Sequence, residues 1–278
     1  MKNEDGFLGP EDYAEPRCLL CGEPYGSADV KPIPQLRIRD KVDELMSRRD
    51  YKGVERHLNY WLEEARLGKD ARGEFFVLGE LVGHYRKTGE REKALAACGR
   101  ELSLIGRLGY EGTVSAATAY VNVATAKGAF GDHRAAKELF LKAKEIYEGK
   151  EDIDPDLLGG LYNNMGLTSA ALGEYAYARE YYRLAVDTMR RSGDGALEEA
   201  MTLLNLANTA EAEKGAERAE SEIFDLLDRA RALFDADRPR DGYYAFVCEK
   251  CAPTFEYYGY FADAKELSRR AEEIYERT

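Results

Sequence analysis

Apolar residues along most of this chain recur at helical intervals, and five times such a stretch breaks at a glycine and then resumes. The breaks are "YRKTGEREKAL" at Gly89, "KGAFGDHRAAK" at Gly131, "SAALGEYAYAR" at Gly173, "EAEKGAERAES" at Gly215 and "FEYYGYFADAK" at Gly259. The first four glycines are spaced 42 residues apart, and the fifth follows after 44. Helical periodicity on both sides of a tight turn predicts a helix, a turn and a second helix in every copy. A fixed period of this length makes a stacked array of all-α hairpins the expected architecture.

Upstream, "LMSRRDYKGVERHLNYWLEEARLG" repeats the scheme more loosely, with Asp50 and Tyr51 in the turn. Val54, Leu58 and Trp61 are expected on one face of its second helix, with Trp61 filling the space that alanine leaves elsewhere. Terminal repeats often diverge because one side lacks a neighbour. The array is therefore expected to hold about six hairpins, over residues 36–72, 73–114, 115–156, 157–197, 198–240 and 241–278. Residues 1–35 contain Pro10, Pro16, Pro24, Pro32 and Pro34, five of the eight prolines, and read as an irregular arm lying along the first repeat.

The best-formed copy places Tyr162, Met165, Gly166 and Ser169 in its first helix and Ala178, Tyr182 and Ala185 in its second. The copy before it offers Tyr120, Val123 and Ala124, then Ala136, Phe140 and Ala143. Small residues at 124, 166 and 252, opposite Ala136, Ala178 and Ala264, allow the two helices of a hairpin to approach closely. This pattern resembles the tetratricopeptide repeat, whose first helix reads W-x2-L-G-x2-Y and whose second carries A-x3-F. Val82 and Glu101 depart from it, and the offsets of Ala207 and Ala230 predict a lengthened or shifted second helix in that copy. The period exceeds the usual one of about 34 by about two helical turns. Long repeats of this kind are similar to those of kinesin light chains and of peptide-sensing regulators of Gram-positive bacteria. The resemblance covers roughly residues 73–278. It implies a right-handed superhelix whose first helices line a concave groove that holds protein or peptide.

Composition narrows the partners. A formal net charge of −12 and a pI near 5.0 argue against binding nucleic-acid phosphates, which needs Lys and Arg to displace counterions. No stretch approaches the roughly 18 apolar residues of a membrane span, and "MKNEDGFLGP" has no apolar core behind basic residues. A cytoplasmic protein with five reduced thiols is expected.

Within the implied groove, Asn122, Asn164 and Asn205 fall two residues before the small position in three consecutive repeats. A carboxamide offers a donor and an acceptor to a peptide unit whatever its side chain, so such a ladder suits an extended backbone. Asn163, Asn208 and Thr209 are neighbouring candidates, and small Ala129, Ala171 and Ala212 leave room beside them. Glu80, His84 and Lys87 in the first clear repeat, and Glu249, Lys250 and Tyr257 in the last, are expected to supply sequence choice at the two ends. No Lys and Arg cluster resembles the carboxylate clamp of chaperone-binding relatives. Pro253 should kink the first helix of the last repeat.

Chemistry is sparse by comparison. His57, His84 and His133 lie in different repeats with no partner at helical spacing. Asp152, Asp154 and Asp156 begin like a calcium loop, but Leu157 stands where its glycine belongs, so Asp154 is expected to cap a helix before Pro155. There is no Walker loop, nucleophile elbow or zinc-protease helix, and neither a catalytic role nor a cofactor is expected. Cys248 and Cys251 fall on the motif's own apolar positions and should be core. Cys18 and Cys21 in "RCLLCGEPYG" are the candidate metal pair, half a site, with anchoring of the arm by the cysteines and Leu19 or Leu20 as the blander reading. A zinc- or redox-responsive role for that pair, and self-association through the outer repeats, remain as alternatives.

Overall fold

The computed structural model describes residues 17–18, 21–25, 29–192, 195–236 and 239–277. Leu19 and Leu20, expected to help anchor the arm, lie outside the described residues. The fold is all-α, and among the described residues there are twelve helices and no strand. They pair as hairpins: α1 (Gln35–Ser47) with α2 (Tyr51–Leu67), α3 (Ala71–Thr88) with α4 (Arg91–Leu108), and α5 (Val114–Ala129) with α6 (His133–Glu148). The remaining hairpins are α7 (Pro155–Ala171) with α8 (Tyr175–Met189), α9 (Ala196–Lys214) with α10 (Ala216–Asp235), and α11 (Gly242–Tyr257) with α12 (Phe261–Tyr275). Two compact units carry them, Met1–Glu111 with α1 to α4 and Gly112–Thr278 with α5 to α12.

Local chemistry explains the boundaries. Asp50, Asp70, Asp132, Asp154 and Asp241 cap helix N-termini, each accepting a backbone N–H that the helix leaves unpaired. Asp154 does so one residue before Pro155, as the sequence predicts. The recurring glycines at 89, 131, 173, 215 and 259 all turn left-handed, with φ between 74° and 87°. That region costs a side chain about 1–2 kcal/mol, which is why the 42-residue period is written in glycine. Gly215 joins α9 to α10 by itself, and α10, at 20 residues, is the lengthened helix expected there.

The hairpin interiors follow the motif. In α7 and α8, Tyr162, Met165, Gly166 and Ser169 are buried with Ala178, Tyr182 and Ala185. Gly166 lies against the Tyr182 ring so closely that a Cβ there would fall 2.5 Å from Cε1. Val123, Ala124, Ala136, Phe140 and Ala143 repeat the arrangement in α5 and α6. The departures are buried too: Val82 fills the small position with a larger apolar group, and Glu101 puts a carboxylate 2 % exposed where alanine is usual.

One expectation needs correction. The buried face of α2 is Val54, Leu58, Leu62 and Ala65, with Trp61 only half-buried and edge-on to His57 and Tyr60. Leu62 continues the i, i+4 stripe from Leu58, whereas Trp61 sits about 100° around the helix. Pro253 lies inside α11 and is exposed.

Candidate functional site

In the second unit the first helices touch in series, α5 with α7, α7 with α9, and α9 with α11, so four helices present one continuous face. All the asparagine candidates lie on them. Asn122 on α5 and Asn208 on α9 are exposed, while Asn163, Asn164 and Asn205 are half-buried. The Asn205 side chain donates through Nδ2 to Asn163 Oδ1 at 3.0 Å, and Thr202 Oγ1 lies 3.2 Å from the same oxygen. The Thr202 hydroxyl has a nearer acceptor in its own helix, Glu198 O at 2.8 Å, so the Asn205 carboxamide is the committed donor to Asn163. No hydrogen bond of the Asn122 or Asn164 carboxamide to another described residue is recorded, which leaves their donors and acceptors to solvent or a ligand. Thr209 is buried, and its hydroxyl donates to Asn205 O at 2.9 Å, locking the α9 backbone.

Aromatic side chains of α11 reach back to α9. Tyr243 donates to Glu198 Oε1 at 2.6 Å and stacks on Phe246, with centroids 6.3 Å apart and planes at 28°. Tyr257 donates to Glu211 Oε1 at 3.1 Å, and Tyr258 donates to Glu211 Oε2 at 2.9 Å with Asn208 Oδ1 3.0 Å from the same hydroxyl. Burial and then the adjoining glutamate raise the Tyr243 and Tyr258 phenols, so both remain donors across the physiological range. Tyr257 is 69 % exposed and Tyr243 46 %, so this end of the face is aromatic, acidic and open. Sequence reasoning singled out Tyr257 but missed Glu198, Glu211 and Phe246. The doubled tyrosines at 243 and 257 were the available signal.

The other end-repeat candidates are placed differently. Lys250 is exposed on α11, whereas Glu249 accepts from Tyr275 on α12 at 3.2 Å and so faces its own hairpin partner. In the first unit, Glu80, His84 and Lys87 share a face of α3 that looks onto α1 and α2. The Glu80 carboxyl is raised by burial and then by Asp43, with Arg39 opposing. Lys87 Nζ lies 5.6 Å from the centroid of the Tyr51 ring. His84 is buried, and burial lowers its pKa against the pull of Glu55 and Glu90.

Beside Cys18 and Cys21, Gly22 N donates to Cys18 O at 2.8 Å and Cys18 N to Glu23 O at 3.0 Å. Both sulfurs converge on the Tyr110 hydroxyl, at 4.0 Å from Cys18 and 3.8 Å from Cys21. No further metal-ligating side chain completes a set of three with them among the described residues. The arm is instead tied down by Asp70, a buried carboxylate that accepts from Gly73 N, Ile33 N and Tyr25 OH. Cys248 and Cys251 are buried in the α11 core, and desolvation pushes their thiols up to about 11 and about 12. They are packing, as the motif requires.

The two best-formed clefts among the described residues hold about 20 and 10 Å³, far below the roughly 300–1,000 Å³ of small-molecule pockets. Likewise, no described helix is long and apolar enough to cross a membrane.

The helical hairpins, their small-residue contacts and their glycine turns define a tetratricopeptide-like repeat fold. Among solved structures, BtubC (BKLC) from P. vanneervenii is similar, with a TM-score of 0.62 and 19% identity over 73% of this chain and 82% of that one. A putative kinesin light chain with nearly identical TPR-like repeats from Podosopora anserina aligns at a TM-score of 0.48 and 17% identity, over 71% of this chain and 92% of that one. MamA aligns at 0.47 and 15%, over 74% and 97%. No protein-family model and no curated protein sequence matches the chain.

Proposed function

We propose that the protein is a non-enzymatic interaction scaffold that holds an extended segment of a protein partner along the face made by α5, α7, α9 and α11. The observation that carries this reading is the run of carboxamides on adjoining first helices, with Asn122 and Asn164 uncommitted and Asn163 and Asn205 pre-oriented by each other. Pre-organised amides bind a peptide backbone with little ordering cost. The shallow clefts favour a long, thin ligand over a compact one.

Choice of sequence falls to the α9–α11 end. Glu198 and Glu211 beside Tyr243, Phe246 and Tyr257 suit a segment carrying a basic side chain next to an apolar or aromatic one. A guanidinium there can pair with a carboxylate while stacking on a phenol ring. The net charge of −12 also favours approach of a basic partner. Five free cysteines fit a reducing, cytoplasmic setting, where such a scaffold would act as an adaptor or a peptide sensor.

Selection from a displayed library of random peptides against the full chain tests the reading. Recovered peptides should be enriched in Arg or Lys beside aromatics and lose affinity with Asn164→Ala. A library that yields nothing above background, or hits indifferent to both Asn164→Ala and Tyr243→Ala, would remove this face as the site.

A further inference from the structure

Outside that face, the described residues contain one place where three metal-ligating side chains meet. Glu55 projects from α2, His84 from the last turns of α3, and Glu90 from the residue that starts α4. One ligating atom from each lies within 4.8 Å of the other two. Acidic clusters are common, so the carboxylates alone would mean nothing; His84 is what distinguishes this one. His84 is only 6 % exposed, and its Nδ1 is buried with no hydrogen-bond partner among the described residues. A buried ring nitrogen without a partner is a cost that proteins seldom carry.

We propose that Glu55, His84 and Glu90 bind a divalent transition-metal ion, with zinc the best match, in competition with the ammonium of Lys93. Two carboxylate oxygens and one imidazole nitrogen are a borderline donor set that suits zinc, whereas calcium and magnesium prefer oxygen alone. Zinc bonds of about 2.0–2.2 Å require the three atoms to draw together by an ångström or so, within reach of small rotamer changes in the glutamates. Lys93 now holds the carboxylates together, with Nζ 2.7 Å from Glu55 Oε1 and 2.5 Å from Glu90 Oε2. Its side chain is half exposed and can swing into solvent. Exchanging its single charge for two would neutralise the pair of carboxylates. Thr88 Oγ1 donates to Glu90 Oε1 at 3.0 Å and orients that ligand from outside. Three protein ligands leave a fourth position for water or for a group from a partner. A bound ion would staple the α3–α4 turn to α2.

The test titrates zinc sulfate into the full chain by calorimetry and follows thermal melting. The wild type should bind one zinc and melt at higher temperature, because an ion that binds only the folded state stabilises it. Lys93→Met should tighten binding, and His84→Gln or Glu90→Gln should weaken it, each by about tenfold or more. Glu90 is half-buried and makes no side-chain cap bond to α4, so its variant stays informative if His84→Gln does not fold. Cys21→Ser should change nothing, and the cobalt-loaded protein should show no sulfur-to-cobalt charge transfer. Absence of stoichiometric zinc in both wild type and Lys93→Met, or binding that survives Glu90→Gln and disappears with Cys21→Ser, would overturn the proposal.

Discussion

Asn205 on α9 donates its carboxamide to Asn163 on α7 at 3.0 Å, so two asparagines in neighbouring repeats are bonded to each other before any ligand arrives. This divides the asparagines into a structural pair and an uncommitted pair. Asn163→Ala strips the acceptor from Asn205 and should lower stability by about 1 kcal/mol, the usual worth of such a bond. Asn164→Ala removes no recorded bond and should leave stability unchanged within about 0.5 kcal/mol. Paired urea melts check the difference, and equal losses would place the two residues in one structural role.

Gly166 should be among the least replaceable residues of the α7–α8 hairpin. An added Cβ would lie 2.5–2.8 Å from three atoms of the Tyr182 ring, which is itself fully buried. Gly166→Ala should therefore destabilise by about 1–3 kcal/mol, although alanine is the better helix former. Combining it with Tyr182→Leu should recover part of the loss. A neutral or stabilising Gly166→Ala would mean that the hairpin opens more easily than its packing implies.

Glu101 makes stability depend on pH. Burial, and then the neighbouring Glu80, hold its carboxyl up to about 8 against an ordinary value of 4.5. Between those values the folded protein binds a proton that the unfolded chain has released. Stability from this group is thus full below about pH 4.5 and is lost as pH rises through about 8. The loss is on the order of a few kcal/mol. Glu101→Gln should flatten the profile, with a clear gain over wild type at pH 8.5 and little at pH 5. Parallel stability curves for the two proteins across that range would contradict this assignment.

The thiols should divide by burial. Cys21 is exposed, while Cys18, Cys98, Cys248 and Cys251 are buried, and the last two are held protonated by desolvation. At pH 7.5 a thiol reagent should modify Cys21 rapidly and the four others only after denaturant is added. Rapid labelling of Cys248 or Cys251 in the native protein would show that α11 leaves its core.

Much of the fold is legible in the sequence because its determinants are local. The left-handed turns can be made cheaply only by glycine, so they mark the period at 89, 131, 173 and 215. The motif's small and aromatic positions also give the burial of Cys248, Cys251, Gly166 and Tyr182 without reference to anything distant. Features that depend on how helices of different repeats are rotated against each other are not legible in this way. One residue of rotation separates Leu62 from Trp61 as the core residue of α2, and the looser pattern there does not decide between them. The same reason hides the reach of Tyr243 and Tyr258 to glutamates 45 and 47 residues away. It also turns His84, which reads as a polar residue at the end of a groove, into a buried imidazole between two carboxylates.

The central claim is that a partner segment lies on the first helices of the second unit. A peptide recovered by selection, carrying a photo-reactive side chain and cross-linked to the full chain, measures this most directly through mass spectrometry of the attachment sites. Attachments should fall on α7, α9 and α11, around Asn164, Asn208 and Tyr243, and should diminish with Asn164→Ala. Attachments concentrated on the second helices α6, α8, α10 and α12 would contradict it.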